Sequence, residues 1–593
     1  MANALQHRGP DGQGFWINKN GTVGLAHRRL SIIDLSNAGS QPMHFNNRYS
    51  IVFNGEIYNY IELRSSLQSK GYRFQTSSDT EVILAAYDAY KDNCVQYFDG
   101  MFALAIWDEQ EQKLFAARDR FGEKPFYYFI DGEQLVFASE MKALWAIGIS
   151  RQINNTMLLN YITLGFVSNP VDAQETFYQH IQKLPAACTL CYLPANNQCS
   201  IKKYWDVDKE TTTAISEKEA THQFQQLFYQ SVSRRLRSDV AVGTSLSGGL
   251  DSSSIVAAIN HLQQSGYNYQ SFSAVFPGYE KDEAHYIHEV ATKFSVKTNF
   301  VTPTAQGFIN DFEQLTHHQE EPFQSSSIYA QYKVYELAKQ QNVTVLLDGQ
   351  GADETLAGYH KYYHWYWQEL LANKNFARNK KEIIAARSIG ITQPWNMKHH
   401  IAAFFPKTTA RQLQKGLQQQ QASYSHLSKD FYLQHFDTDT LYKPVVRNLN
   451  DILYFNTIQF GLEELLRYAD RNSMAHSREI RLPFLNHELV QFIFSLPSSY
   501  KIRDGFTKWI LRKTMEPSLP ASIVWRTDKV GFEPPQQSWM QHATVQDRIH
   551  ESKKKLVQQG ILQATILQRK PVATTAHAGN NFDWRYLSAA TIL

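Results

Sequence analysis

The chain has 593 residues, which is enough for two or more domains with sizeable cores. Its hydrophobic content of 43%, charged content of 19% and net charge of +3 are those of an ordinary globular protein and give no broad basic footprint for nucleic acid. No apolar stretch approaches the roughly 20 residues of a membrane span, no signal peptide is visible, and four cysteines are too few for a disulfide framework, so we expect a reduced, cytoplasmic protein.

Residues 1–200 have the pattern of a β-rich domain with a few helices. Short apolar runs at 51–53 (IVF) and 101–107 (MFALAIW) are typical of strands, and glycine and asparagine turns separate them. Residues 80–90 (TEVILAAYDAY) predict a helix. The polar stretch that follows predicts a linker, which we place at 201–215, before a second domain at 216–593.

The second domain begins with Ser216 and Glu219, which are spaced as a capping box. Apolar strands predicted at 240–246, 271–276 and 343–347 then alternate with helical patterns, which indicates a parallel sheet with helices on its faces. Ligands of such sheets bind at the carboxyl ends of the strands. We interpret 364–440 as a helical insertion of unknown role and the lysine run 553–555 as a solvated helix face.

The most informative segment is the sequence SGGLDSS at 247–253, which lies between a strand and a helix. Gly248 and Gly249 allow backbone N–H groups to approach a ligand, and the helix start adds further donors and the positive end of its dipole. Such a turn binds phosphate. Asp251 would repel phosphate unless a metal lies between them, and Mg²⁺ resolves this conflict.

A second glycine-rich turn, LDGQGADE at 347–354, follows the strand at 343–347. If it lies beside the first turn, Asp251 and Asp353 would share the magnesium of one nucleotide. Lys508, in the segment GFTKWILR, could stabilise charge that develops on a phosphoryl group. The spacing of SGGLDSS differs from that of a P-loop and resembles the PP-loop of ATP pyrophosphatases, which cleave between the α- and β-phosphates.

Ordered motifs run almost from end to end of the chain, and together they resemble the glutamine-dependent asparagine synthetases of the AsnB type. The segments that carry the resemblance are HRGPDG (7–12), RLSIID (29–34), FNGEIYN (53–59), SDTE (78–81), SGGLDSS (247–253), DGQGADE (348–354) and EIRLPFLN (479–486).

The resemblance implies an α/β protein with an N-terminal αββα Ntn-hydrolase-type sandwich and a C-terminal PP-loop ATP pyrophosphatase domain. It implies that aspartate attacks the α-phosphorus of ATP to give β-aspartyl-AMP, and that ammonia then displaces AMP to give asparagine. It implies ATP-binding roles for Leu246, Ser247, Gly248, Gly249, Asp251, Ser252, Ala274, Asp348 and Gly349. Lys508 matches the lysine that stabilises the adenylation step.

In the family the N-terminal domain is a glutaminase that passes ammonia to the second site. By resemblance, Arg29 would bind the glutamine α-carboxylate and Asp79 its α-ammonium, with Glu56 in the same pocket. Asn54 and the N–H of Gly55 would form the oxyanion hole.

The family's nucleophile is a cysteine directly after the initiator methionine, whose own α-amine acts as the base. Here residue 2 is alanine, and Cys94 is the nearest cysteine. The family segment that precedes HRGPDG, which includes the first strand of the sandwich, is also missing. A truncated sequence and a degenerate glutaminase both explain this, and we favour truncation because the glutamine-binding residues are all present.

A second departure concerns Gln350, where many family members carry glutamate. An amide can orient a substrate carboxylate but cannot act as a base. The acceptor is therefore either aspartate or another carboxylate, aminated by ammonia or by another amine. We expect small-molecule substrates only (ATP, aspartate, and glutamine or ammonia), with neither nucleic acid nor membrane as a partner, and a homodimer as an alternative to a monomer.

Overall fold

The N-terminal part of the protein contains eleven strands and four α-helices in its first 203 residues. The structure is a computed structural model that describes residues 1–262, 269–528 and 532–593. In chain order the elements are β1 (Gly12–Ile17), β2 (Gly24–Arg29), β3 (Met43–Phe45), β4 (Tyr49–Ile57), α1 (Tyr60–Ser69), α2 (Asp79–Tyr90), β5 (Gly100–Asp108), β6 (Lys113–Arg118), β7 (Tyr127–Ile130), β8 (Leu135–Ala138), α3 (Met141–Trp145), α4 (Asn155–Leu164), β9 (Gln182–Lys183), β10 (Cys188–Leu193) and β11 (Gln198–Lys203).

These elements form an αββα sandwich, as the resemblance implied. A six-stranded antiparallel sheet, in the order β11-β10-β6-β5-β4-β3, packs α1 and α2 on its outer face. Its inner face meets two smaller sheets, β8-β7-β9 and β1-β2. Helices α3 and α4 cover the far side of the β8-β7-β9 sheet. The layers between the two sheet systems enclose the cavity described below.

The C-terminal part begins with a long helix and then alternates strands and helices. Its elements are α5 (Glu217–Arg235), β12 (Val242–Ser245), α6 (Leu250–Leu262), β13 (Gln270–Ala274), α7 (Ala284–Phe294), β14 (Lys297–Val301), α8 (Ala305–Gln319), α9 (Ser327–Gln340), β15 (Val345–Leu347), α10 (Ala352–Thr355), α11 (Tyr362–Ala372), α12 (Phe376–Ser388), α13 (Met397–Phe404), α14 (Pro406–Ala422), α15 (Lys429–His435), α16 (Leu449–Tyr454), α17 (Leu462–Ala475), β16 (Glu479–Arg481), α18 (His487–Ser495), β17 (Ile502–Arg503), β18 (Phe506–Thr507), α19 (Trp509–Met515), α20 (Ala521–Val524), α21 (Gln536–Gln541), α22 (Ala543–Gln558) and α23 (Phe582–Ala589).

Five of these strands form a parallel sheet in the order β14-β13-β12-β15-β16. One face packs against α5, α6 and α18, and the other packs against α9, α11 and α16. Because β12 lies between β13 and β15, the turns that follow these three strands emerge side by side at one edge of the sheet. This order places the two glycine-rich turns next to each other.

Most sequence expectations about local structure are confirmed. Ser216 caps α5 in a capping box with Glu219, and the helix predicted at 80–90 begins at Asp79 because Ser78 accepts a hydrogen bond from the N–H of Thr80. The insertion at 364–440 is helical and contributes most of α11 together with α12–α15. The predicted strands are longer than β12, β13 and β15, because their flanking residues lie outside the paired part of the sheet.

The prediction that residues 553–555 form a solvated face is wrong for Lys553. Its side chain is buried, and its ammonium lies 2.6 Å from the carboxylate of Asp583 in the first turn of α23. A charge run in the sequence does not reveal which of its members faces a buried partner.

The two halves of the chain share one of the apolar cores. Helix α4 packs against α14 and α23, and the core around Leu158 and Tyr161 also contains Leu556 and Tyr586. Within the described ranges, none of the helices combines the length and apolar content that crossing a bilayer requires.

Candidate active site

The turn after β12 is held in shape by its own serines. The hydroxyl of Ser252 lies 3.1 Å from that of Ser247, accepts the N–H of Ser247 at 3.2 Å, and donates to the carbonyl of Gly249 at 3.3 Å. Asp251 is buried in the first turn of α6. The turn therefore presents backbone N–H groups and a carboxylate at a fixed place before any ligand binds.

The second turn lies directly against the first. A Cβ atom on Gly349 would be 3.0 Å from the Cβ of Asp251 and 3.3 Å from the backbone nitrogen of Ser252, so the contact accommodates glycine best. Asp348 beside it accepts hydrogen bonds from the N–H of Gly349 at 2.8 Å and the hydroxyl of Tyr335 at 3.1 Å. Burial raises the pKa of Asp348 above its ordinary value. The two turns thus form one cleft at the edge of the sheet.

Lys508 joins the two turns across this cleft. Its ammonium lies 2.5 and 2.7 Å from the two carboxylate oxygens of Asp251 and 2.5 Å from an oxygen of Asp353. The side chain is 1% exposed, and the residue has a left-handed backbone (φ 55°) immediately before α19. One lysine and two carboxylates have a formal net charge of −1, so this cluster suits a polyphosphate only together with a metal ion held by the carboxylates.

The remaining residues predicted to contact ATP lie at the same edge. Leu246 follows β12 and receives a hydrogen bond from the Ser273 hydroxyl at 2.6 Å, while Ala274 is the last residue of β13. Leu246 is buried and Ala274 is half-buried. The structure therefore groups all the predicted ATP residues on three neighbouring strand ends; their roles remain predictions.

Gln350 and Glu354 supply further polar atoms to the second turn. The side-chain oxygen of Gln350 is buried and has no hydrogen-bond partner in the described part of the chain. Glu354 is buried and accepts a hydrogen bond from Tyr359. Burial, with the neighbouring charge of Asp353 as a second cause, raises the pKa of Glu354. Sequence reasoning named neither Glu354 nor Tyr359 as a functional residue, although both lie in or beside the motif.

The protein itself offers two carboxylates for a metal at this cleft. Asp251 and Asp353 both lie against the ammonium of Lys508, so their hard oxygens are close enough to share Mg²⁺ when Lys508 turns to the phosphates and phosphate oxygens and waters complete the coordination. Among the described residues, there is no group of three or more His, Cys, Asp or Glu side chains that could hold a metal ion without such help.

A second candidate site is the cavity between the sheets of the N-terminal sandwich. Its volume is about 410 Å³. The five residues predicted to bind glutamine all line it, namely Arg29, Asn54, Gly55, Glu56 and Asp79. Its apolar wall comes from side chains of both sheet systems, including Val52, Phe126 and Phe137.

Arg29 is already engaged by the loop that follows β2. Its guanidinium donates to the carbonyl of Ser36 at 2.7 Å and to the carbonyls of Asp34 and Ile33. A side chain held by three backbone carbonyls supports this loop, so binding a ligand carboxylate would require it to exchange partners. Its predicted role at the glutamine carboxylate remains a prediction.

Acidic groups gather at the inner end of the cavity. Burial raises the pKa of Asp79 to about 6, although the N–H of Ile57 donates to it at 3.0 Å. Burial first, and then the charge of Asp79, raise the pKa of Glu56 well above its ordinary value. Arg481 donates to Glu56 at 3.2 Å and to Glu479 at 2.9 Å, which connects the cavity to β16 of the C-terminal sheet.

The residues predicted to form an oxyanion hole lie on β4. Gly55 has a φ of +138°, and a Cβ there would collide with the carbonyl of Met101 on β5, so glycine is required. The amide of Asn54 lies 3.4 Å from the hydroxyl of Ser139, a long and weak contact. No cysteine lines the cavity, although all four cysteines of the chain are described; Met1 and Ala2 lie in its wall.

A buried ion network that the sequence did not reveal joins the N-terminal and C-terminal halves of the chain. Arg8 donates to Glu140 and to Asp470, each at 2.8 Å. Arg471 pairs with Glu140 at 3.1 Å and with Glu320 at 2.8 Å. These side chains come from both halves of the chain, and breaking one buried pair of this kind typically costs about 3–5 kcal/mol.

Comparison with known proteins gives matches along nearly the whole chain. The asparagine synthase family model matches residues 223–590, and the glutamine amidotransferase domain model matches residues 1–205. "Asparagine synthetase (glutamine-hydrolyzing) 1" of Bacillus subtilis is 32% identical over 91% of this chain and 84% of the relative. The relative numbered 3 from the same organism is 30% identical over 89% and 82%, and "Amidase chry2" of Gibberella zeae is 28% identical over 90% and 84%.

Proposed function

Because the chain belongs to the asparagine synthase family and is an ATP-dependent ligase of the amidotransferase type, we propose that it converts aspartate to asparagine. In the first step the side-chain carboxylate oxygen of aspartate attacks the α-phosphorus of ATP, and pyrophosphate leaves. In the second step ammonia attacks the acyl carbon of the adenylate, loses a proton, and expels AMP.

The observation that carries this proposal is the position of Lys508 between Asp251 and Asp353. The N–H groups of the turn at 247–253 would hold the phosphates. Lys508 would bind the oxygens between the α- and β-phosphates, where charge accumulates as pyrophosphate leaves. Asp251 and Asp353 would hold Mg²⁺, which neutralises the pyrophosphate when bound.

The proposal is tested by release of pyrophosphate from ATP with Mg²⁺, ammonium and aspartate. We expect release that depends on aspartate, and asparagine and AMP in equal amounts. The control omits aspartate and measures background hydrolysis of ATP. Release at the background rate with aspartate present would contradict the proposal.

We also propose that glutamine binds in the cavity of the N-terminal sandwich, where Arg29, Asn54, Gly55, Glu56 and Asp79 would contact it. All five line one cavity, and Asp79 offers a carboxylate to an α-ammonium group. The cavity's inner end reaches Glu479 on the C-terminal sheet, so ammonia released there would have a short way to the second half of the chain. A nucleophile for glutamine is a separate question, because no cysteine lines this cavity.

One observation favours a second candidate, amide synthesis on a different carboxylate. The buried oxygen of Gln350 has no hydrogen-bond partner among the described residues, and an amide there can accept an N–H but cannot remove a proton. A relative that covers most of the chain is named an amidase. Exchange of labelled pyrophosphate into ATP, measured over a panel of carboxylates, separates the two candidates: the substrate of the enzyme is the one that drives exchange.

The variant Gln350→Glu sharpens this test. If the acceptor is aspartate and proton removal limits the second step, the new carboxylate raises the rate of asparagine formation, by roughly tenfold to a hundredfold, and leaves pyrophosphate exchange unchanged. Gln350→Met, which has a similar length and no amide, is the control. Equal exchange and equal amide formation in all three proteins would show that Gln350 has no role in the chemistry.

A further inference from the structure

The insertion helices carry an unusually basic stretch. Between Glu382 and Asp430 the chain has no acidic residue over 47 positions, whereas it contains 56 Asp and Glu in 593 residues overall. The same stretch contains six Lys or Arg residues, while the net charge of the whole chain is only +3. Four of them lie on or beside α13 and α14, and all four are exposed: Lys398, Lys407, Arg411 and Lys415. None of the four has a carboxylate partner in the described part of the chain.

Large apolar side chains face solvent on the same two helices. Met397, Ile401 and Phe404 are spaced i, i+4 and i+7 on α13, so they form one stripe along the helix, and they are 73%, 49% and 52% exposed. Phe405, between the helices, and Leu413 on α14 are 60% and 54% exposed. An amphipathic helix normally turns such a stripe towards the core, whereas α13 has no buried residue at all.

The outward orientation of the stripe is fixed by the packing of α13 on α11. His399, on another side of α13, stacks on His364 of α11 at 4.6 Å and on Trp395 at 5.2 Å between ring centroids. Trp395 in turn contacts Trp367, a buried residue of α11. The aromatic contacts of His399 therefore fix α13 against α11, and the apolar stripe of α13 remains exposed.

The sequence predicted no membrane partner, but the exposed apolar stripe and the basic side chains around it lead us to propose that α13 and the start of α14 bind the surface of an anionic lipid bilayer. Apolar side chains would enter the interface, while the surrounding lysines and arginine would contact anionic headgroups. Nucleic acid would use the positive charge but would leave the aliphatic Met397, Ile401 and Leu413 in water. The absence of acidic side chains over the whole stretch indicates a partner of uniform negative charge rather than the mixed surface of a protein.

Flotation of the full-length chain with vesicles tests the proposal. The vesicles are neutral phosphatidylcholine alone, or phosphatidylcholine with 30% phosphatidylglycerol, each at low and at high salt. We expect the protein to float with the anionic vesicles at low salt, to remain below with neutral vesicles, and to be released at least partly by high salt.

Two sets of substitutions separate the contributions of the surface. Binding to anionic vesicles should fall at least tenfold in the triple variant Ile401→Ser, Phe404→Ser, Phe405→Ser, and also in Lys398→Glu, Lys407→Glu, Arg411→Glu. The matched control is Phe15→Ser, Ile17→Ser, Lys19→Glu, on and next to β1, where the side chains are equally exposed. The control should bind as the parent does. Circular dichroism and a thermal melt confirm that each variant is folded.

Three outcomes would overturn the proposal. One is the absence of flotation with anionic vesicles at any salt concentration. Another is flotation that the two surface variants do not weaken. The third is a parent protein that does not bind vesicles and is a dimer by light scattering, while the serine variant is a monomer. The surface would then be an interface between copies of the chain.

Discussion

The cleft at the edge of the parallel sheet and the cavity inside the N-terminal sandwich differ in how completely their residues are assembled. In the cleft, residues far apart in the sequence make direct contact, with Lys508 bonded to Asp251 and paired with Asp353. In the cavity, the expected residues line the same space, but Arg29 is engaged by backbone carbonyls and no cysteine lies among the lining residues. The comparison shows that lining a common space is weaker evidence for a reaction than a bonded set of charges.

The difference has a structural cause. The turns that follow adjacent parallel strands lie side by side at one edge of the sheet, so the order of the strands positions the cleft. The cavity depends on two sheet systems and on the loop after β2, each held by separate contacts. Experiments that change one site and measure activity or binding at the other can show whether the two sites are coupled or act independently.

The largest effect is expected from Lys508→Met. Removing the ammonium leaves two carboxylates facing each other and removes transition-state stabilisation, so aspartate-dependent pyrophosphate release should fall about a thousandfold, or roughly 4 kcal/mol. Lys513→Met, on α19 five residues further along the chain and paired with Glu516, is the control and should keep its activity. If Lys508→Met keeps the activity of the parent, Lys508 has no catalytic role.

The second largest effect is expected when ammonia and glutamine are compared as nitrogen donors for the unmodified chain. Amide formation with ammonia should exceed amide formation with glutamine by at least a hundredfold, because no thiol lies in the cavity to attack the glutamine amide. Production of glutamate from glutamine is the direct measurement. Asn54→Ala should leave the ammonia-dependent rate unchanged. Rapid glutamate production would mean that a group other than cysteine acts as nucleophile.

Gly349→Ala should disturb the cleft without changing any charge. The new methyl would lie 3.0 Å from the Cβ of Asp251, so the turns must separate slightly, at a cost of about 1–3 kcal/mol in unfolding free energy. The KM for ATP should rise with it, while glutamine binding in the cavity stays the same. Gly416→Ala, in open space on α14, serves as the control and should stabilise or be neutral. An unchanged KM would show that nucleotide does not depend on this contact.

The smallest effect is expected in the pH dependence of glutamine binding to the cavity. Asp79 has a pKa of about 6, raised chiefly by burial, so it loses its charge as the pH falls through 6. Affinity for glutamine, measured by calorimetry, should therefore drop roughly tenfold between pH 7 and pH 5. Because the folded pKa exceeds the ordinary value of 3.8, ionisation of Asp79 destabilises the fold progressively as the pH rises from 3.8 to about 6, and fully above that. Asp79→Asn should bind glutamine weakly at both pH values. The difference in unfolding free energy between this variant and the parent should favour the variant more at pH 8 than at pH 4. An affinity independent of pH in the parent would exclude Asp79 as the ammonium ligand.

The sequence predicted features that depend on local patterns. The strand, glycine turn and helix at 240–262, the capping box at Ser216 and the αββα and parallel-sheet architecture could all be derived from periodicity, motifs and resemblance. Contacts between distant segments could not. Nothing in the sequence indicated that Lys553 would be buried against Asp583, that Arg29 would hold the loop after β2, or that Arg8 would reach Asp470. Each depends on tertiary packing that brings together residues without any common pattern.

The sharing of one apolar core by α4, α14 and α23 has a consequence for how the protein can be divided. Proteolysis in the segment between β11 and α5 would cut the polypeptide but leave its two pieces interlocked, with Leu158 and Tyr161 still packed among side chains of the C-terminal piece. Expressing either piece alone would expose that packing surface to water and invite aggregation. Chimeras that exchange a whole N-terminal half between relatives should therefore succeed only when α14 and α23 are exchanged with it.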